Sequence, residues 1–362
     1  MNATRPCNPA TWRRIQRVLL LVLLASVLAA CSAPDPYALS KPGPFQVGYQ
    51  NMSFIDPDRG GRRVDMTIWY PARIPRGTDA SQAVLDAVPD TSKAPYPVLL
   101  SATKTAARFA RHLVSRGYVW VSVDDLDFWS VYDESMIKQP LDLIAALDRM
   151  AVSPPKSLEG MADTDRAGAL GYSFDGYNAL ALSGARIDPA FYLEQCADPS
   201  RIDEALQGGV ENWGYCALAD RWDAFAACAG PEITDTTDGL WKPLTDPRIL
   251  AVMPMACDGW LLFGERGLAC VDRPVFMAVA REDFVYEEAA LIYEHLGTDD
   301  RSLVTFRSLD HMMILDELQV ARLAHFAAAF FGEYLQKRDD YRRFYSEEFI
   351  RQREELCWGV CR

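Results

Sequence analysis

Short apolar runs alternate with longer amphipathic ones over most of this chain, and that alternation limits its fold more than any other feature. Residues 97–100, 118–123, 166–170, 248–253, 274–280 and 302–306 are strand-length and rich in Val, Leu, Ala and Met. Between them, 105–116 sets Ala106, Phe109, Ala110 and Leu113 at helical spacing, and 137–150 sets Leu141, Ile144 and Leu147 on one face. Residues 178–182 begin a further helix, and 287–296 and 316–335 read the same way. Strands that alternate with helices form βαβ units, so the pattern predicts an α/β fold: a mostly parallel central sheet with helices on both faces. Ahead of it, 45–54 and 62–70 read as extended, with Val64, Met66 and Ile68 on one side of the second. Pro57-Asp58-Arg59-Gly60-Gly61 between them is turn chemistry, which predicts an antiparallel hairpin. Residues 71–94 read as loop.

Residues 184–246 break the rhythm. They hold three cysteines, several Trp and many acids, between two strands at the edge where such sheets place their sites. Two readings stay open: a cap or lid over a pocket, and a surface excursion stapled by disulfides. Trp213, Trp222 and Trp241 there are expected to pack within a cap, with a pocket lining as the alternative. The body is expected over 45–336. A charged, helical-looking tail over 337–362 is expected to dock as a surface helix, with Cys357 and Cys361 as a possible local pair.

The chemistry centres on Gly171-Tyr172-Ser173-Phe174-Asp175-Gly176, which follows an apolar strand and opens a helix. A nucleophilic serine held on a sharp strand-to-helix turn needs small residues around it to relieve crowding. Its hydroxyl also needs a base. The chain has four histidines. His112, His295 and His325 fall within predicted helices; His311 lies just beyond a strand, where a parallel sheet presents catalytic groups. An acid must then fix the imidazole tautomer. Asp283 follows the strand 274–280 and is the first choice, Glu282 its neighbouring rival, and Asp124 and Asp125 the remote alternatives. The chain order Ser173, Asp283, His311 is the one expected of α/β-hydrolases. An oxyanion would be held by the Phe174 N–H and by a second backbone N–H near Thr103 or Lys104, each worth about 3 kcal/mol of barrier.

These residues resemble the bacterial dienelactone-hydrolase-like proteins that are kin to platelet-activating factor acetylhydrolase. Gly43-Pro44-Phe45-Gln46-Val47-Gly48 and Ile68-Trp69-Tyr70-Pro71-Ala72 look like that group's first hairpin. Ala94-Pro95-Tyr96-Pro97-Val98-Leu99 and Arg116-Gly117-Tyr118-Val119 look like its next strand and helix end, and Gly171-Tyr172-Ser173-Phe174 like its nucleophile turn. The resemblance covers most of the chain after residue 44 and is weakest in the insertion. It implies an α/β-hydrolase fold and a Ser-Asp-His esterase of small or short-acyl esters, without metal or other cofactor. Two positions depart from the group: Ser101-Ala102-Thr103-Lys104 stands where it has Ser-His-Gly, and Asp175-Gly176 where it has Gly-Gly. They bring in a second reading, a catalytically weakened hydrolase fold that binds a ligand or partner at the cell envelope.

The N-terminus points to export. Arg13, Arg14 and Arg17 precede an apolar run, 18–28, too short to span a bilayer. The run ends in Leu28-Ala29-Ala30-Cys31, which looks like a bacterial lipobox. Residues 1–30 then read as a signal peptide, Cys31 as the lipidated first mature residue, and 32–44 as a tether to the membrane. The expected location is the cell envelope, facing periplasm or exterior. Removing residues 1–30, with Arg5 and the three arginines above, takes the net charge from −13 to −17. Such an acidic body repels nucleic acid. The expected partners are a small-molecule ester and the anchoring lipid. Seven cysteines remain after residue 31, an odd number, so at least one does not pair within the chain. None has zinc-site spacing.

Overall fold

The protein is seen in a computed structural model that describes residues 36–75, 82–124 and 132–361. The lipobox cysteine Cys31, the apolar run before it and Asp125 lie outside the described residues. The hairpin forms from β1 (Gln46–Asp56) and β2 (Arg62–Arg73), with Gln46 opposite Ala72 and Asp56 opposite Arg62. Val64, Met66, Ile68 and Tyr70 are buried on one side of β2. The stretch read as loop carries two short strands, β3 (Val84–Leu85) and β4 (Val88–Pro89), which extend the hairpin. Two-residue strands are too short to leave a period in the sequence.

Six strands follow: β5 (Tyr96–Ala102), β6 (Val119–Val123), β7 (Ala162–Tyr172), β8 (Ile249–Met255), β9 (Val275–Ala280) and β10 (Arg301–Phe306). The sheet order is β11-β10-β9-β8-β7-β5-β6-β2-β1-β3, where β11 is Leu356–Trp358. From β6 to β10 every neighbouring pair is parallel; β2 joins β6 antiparallel, and β11 joins β10 antiparallel. The chain is thus mixed α/β with a largely parallel central sheet. Every residue of β5, β6 and β9 is buried, the pattern of strands covered on both faces.

The order of the strands positions the site. The helix Thr103–Val114 carries the chain from β5 outward to β6, and Ser135–Val152 carries it back past β5 to β7. Right-handed crossovers in opposite directions lie on opposite faces. Packing agrees with this: Thr103–Val114 touches the long helix Glu317–Gln336, whereas Ser135–Val152 touches the helix Phe174–Ala181. The direction reverses between β5 and β7, and such a switch point leaves a crevice at the carboxyl ends of the strands.

The C-terminal segment differs from its expected form. Residues 337–361 hold a 3-10 helix, Asp339–Phe344, a short α-helix, Glu347–Arg351, and then β11, which pairs Trp358 with Val304. Burial of Leu356 draws the segment onto the sheet edge, and three residues are too few for the sequence to announce a strand. Disulfides join Cys196 to Cys216 and Cys357 to Cys361, and Cys228, Cys257 and Cys270 are unbonded. The contacts divide the chain into Met1–Ala38 and Leu39–Arg362; the insertion and the C-terminal segment both belong to the second. No helix among the described residues is long and apolar enough to cross a membrane.

Candidate active site

Ser173 stands on the turn between β7 and the helix Phe174–Ala181, with φ +61° and ψ −129°. A non-glycine residue there costs of order 1–3 kcal/mol, and the surroundings must hold it in place. They do so at several points. The Ser173 N–H donates to Met255 O on β8 at 2.9 Å, and the Gly176 N–H donates to Ser173 O at 2.7 Å. A Cβ on Gly171 would lie 1.9 Å from the Asp175 carbonyl oxygen, and one on Gly176 would lie 2.6 Å from Met255 O. Those contacts explain why the turn needs small residues two before and three after the serine.

The three candidate side chains converge. His311 Nε2 lies 3.0 Å from Ser173 Oγ, and His311 Nδ1 lies 3.0 Å from both Asp283 oxygens. Each comes from the carboxyl end of a different parallel strand: Ser173 from β7, Asp283 from β9, His311 from β10. Asp283 is buried and also accepts the Val285 N–H at 3.1 Å. The Tyr172 hydroxyl donates to the His311 carbonyl oxygen at 2.8 Å, tying the histidine loop to the end of β7. Burial, with Asp283 and Asp310 nearby, raises the Tyr172 pKa, so that hydroxyl stays a donor.

The rival residues go elsewhere. Glu282 is exposed at the cavity rim, and Asp124 accepts from Thr103 Oγ1 at 3.3 Å. Two of the other histidines tie down the start of the body: His325 Nδ1 accepts the Leu39 N–H at 3.0 Å, and His112 Nε2 sits 2.9 Å from Leu39 O. Burial and then Arg116 push the His112 pKa down to about 4. His295 caps its own helix against Leu291 O at 2.8 Å.

Asp175 resolves differently from its apparent threat to the serine. Its carboxylate accepts the Ala102 N–H, at 3.0 and 3.1 Å, and the Asn178 side-chain amide at 3.1 Å. It therefore clamps the end of β5, just where the helix Thr103–Val114 starts. Thr103 and Lys104 open that helix and Phe174 opens the one after Ser173. First-turn N–H groups point out of a helix end, and Lys104 and Phe174 both line the cavity with Ser173. Thr103 turns its hydroxyl to Val123 O at 3.0 Å. Asp175→Ala is expected to cost about 1–3 kcal/mol in stability, because the buried Ala102 N–H loses its acceptor. Thermal unfolding of the variant measures this, and Asp175→Asn, which keeps one acceptor oxygen, is expected to recover most of the loss.

The cavity holding these groups has a volume of about 720 Å³. Phe284, Met312 and Leu315 line it and are each more than half exposed, so its mouth is apolar. The insertion contributes Tyr215 to the wall, whereas Trp222 and Trp241 pack against each other and Phe225, with Tyr192 on Trp222. The Trp213 side chain lies outside the described residues. The polar lining residues Tyr132, Tyr215 and Asp258 are absent from the sequence-based candidates. Asp258 was accessible by the same rule that found Asp283, since it closely follows β8 at the same edge; the two tyrosines carry no such signal. No group of three or more His, Cys, Asp or Glu among the described residues could hold a metal ion.

No known protein-family model matches the chain, and no curated protein matches it significantly.

Proposed function

We propose that this chain is a serine hydrolase of the α/β-hydrolase fold that cleaves carboxylic esters. The single observation behind the proposal is the hydrogen-bonded line Ser173–His311–Asp283 on a strained turn at the carboxyl edge of a parallel sheet. Ser173 Oγ attacks the ester carbonyl carbon while His311 Nε2 takes its proton. Asp283 holds Nδ1–H and stabilises the imidazolium. The negative oxygen is received by the Phe174 N–H and by the N–H of Thr103 or Lys104. His311 then protonates the leaving alcohol. Water, deprotonated by His311, releases the acid and restores the serine. The apolar mouth suits a short acyl chain or a small apolar alcohol. The second reading, a fold that only binds, loses ground because the Asp175 carboxylate is engaged by Ala102 and Asn178.

Export and lipid attachment at Cys31 belong to the same proposal. The two disulfides support it, since disulfides persist in oxidising compartments.

Turnover of p-nitrophenyl butyrate and labelling by a fluorophosphonate test the reading. Ser173→Ala is expected to lower kcat by roughly 10³-fold or more and to abolish labelling, with an unchanged unfolding temperature. Neither turnover nor labelling in the parent protein, across acyl lengths, would defeat it.

A further inference from the structure

Two acids lie together beside the catalytic turn with no basic partner. Asp258 follows β8 by three residues, and β8 is the strand to which the Ser173 N–H is bonded. Asp258 lines the same cavity as the nucleophile. Glu288, buried on the helix Tyr286–His295, accepts the Gly259 and Trp260 N–H groups, both at 2.9 Å. Glu288 Oε1 thus has two donors. Asp258 Oδ1, by contrast, is buried and has no hydrogen-bond partner among the described residues. Neither does the hydroxyl of Tyr132, a residue 2% exposed that lines the same cavity. The Tyr132 and Tyr215 rings stack at 4.7 Å.

No arginine or lysine among the described residues pairs with either acid. Lys104 and Arg108, the cations of the cavity wall, lie on the helix Thr103–Val114, and Arg108 reaches Glu317 at 3.8 Å. Burial raises the Asp258 pKa well above its ordinary value, with Glu288 adding to it, and raises that of Glu288 to about 7. Two buried carboxyl groups without a cation form a poor resting arrangement, and a positive charge brought by a ligand would relieve it. Aromatic walls favour the same kind of ligand.

We propose that Asp258 and Tyr132, backed by Tyr215 and Glu288, bind a protonated amine on the substrate. The substrate class is then an amine-bearing ester: its N–H donates to the Asp258 carboxylate, its positive charge lies against the Tyr132 oxygen, and its apolar part lies toward the mouth. This inference rests on the esterase reading for its substrate, though not for its binding site.

The test uses 3-dimethylaminopropyl butyrate and its uncharged isostere 4-methylpentyl butyrate. In the full-length protein, the ammonium ester is expected to have a kcat/KM higher by about tenfold or more, the worth of one charge-assisted hydrogen bond. Asp258→Asn is expected to bring that ratio near one, and Tyr132→Phe to lower it by a smaller factor. Equal kcat/KM for the two esters, or a ratio unmoved by both substitutions, overturns the proposal. Calorimetric binding of the same two esters to Ser173→Ala separates the two readings. Preferred binding of the ammonium ester without turnover in the parent protein would sink the esterase reading alone. Equal binding, with turnover in the parent protein, would sink the amine subsite alone.

Discussion

Asp283→Asn is expected to lower kcat for p-nitrophenyl butyrate by roughly 10³–10⁴-fold while the protein stays folded. The reason is the tautomer of His311. Both Asp283 oxygens face His311 Nδ1 at 3.0 Å, and Oδ1 also accepts the Val285 N–H at 3.1 Å. An asparagine has one oxygen, and the backbone N–H of Val285 claims it. The amide NH₂ then faces Nδ1, which must become an acceptor. The ring proton moves to Nε2, the nitrogen that has to accept the Ser173 proton. Stopped-assay rates beside the unfolding temperature measure the effect. Activity within tenfold of the parent would move the acid role to another group, with Glu282 the first to try.

Gly171→Ala is expected to remove activity and to destabilise the protein by about 3 kcal/mol or more, an overpacking cost at a site that cannot relax. The added Cβ would lie 1.9 Å from the Asp175 carbonyl oxygen and 2.2 Å from its carbon. Both are backbone atoms of the turn that carries Ser173. Opening that turn moves Ser173 Oγ from His311 and slackens the Asp175 clamp on Ala102 together. Gly168→Ala, on the same strand, is the control. Its Cβ would meet the Phe331 ring at 2.6 Å, a side chain that can shift, far along β7 from the serine. It is expected to lower stability with little effect on kcat. Chemical denaturation and ester turnover on both variants make the comparison. Equal kcat losses would mean that the crowding around Gly171 does not set the geometry of the turn.

Much of this was legible because the governing interactions are local. The hairpin, the alternation of strand and helix, and the serine turn each depend on period and turn chemistry within a dozen residues. His311 could be chosen among four histidines because the other three fall within helices, and Asp283 because it follows a strand. What the chain did not announce was set at a distance. The strand β11 exists through pairing with β10, some fifty residues earlier in the chain, and its own three residues carry no period. Asp175, a departure from the group that favours the weakened reading, has its partner in Ala102, on another strand. Asp258 and Tyr132 likewise gain meaning only when a cavity brings together residues from far-separated segments.

The sequence by itself determined the class of fold and singled out Ser173, His311 and Asp283 as candidates, because backbone propensity and side-chain chemistry are properties of neighbouring residues. Tertiary structure alone decided which acid meets which nitrogen, where the Asp175 carboxylate turns, and which polar groups stay without a partner. Those outcomes depend on distances between strands that only packing sets, since burial raises the cost of every unpaired polar group and leaves few arrangements in which most are served.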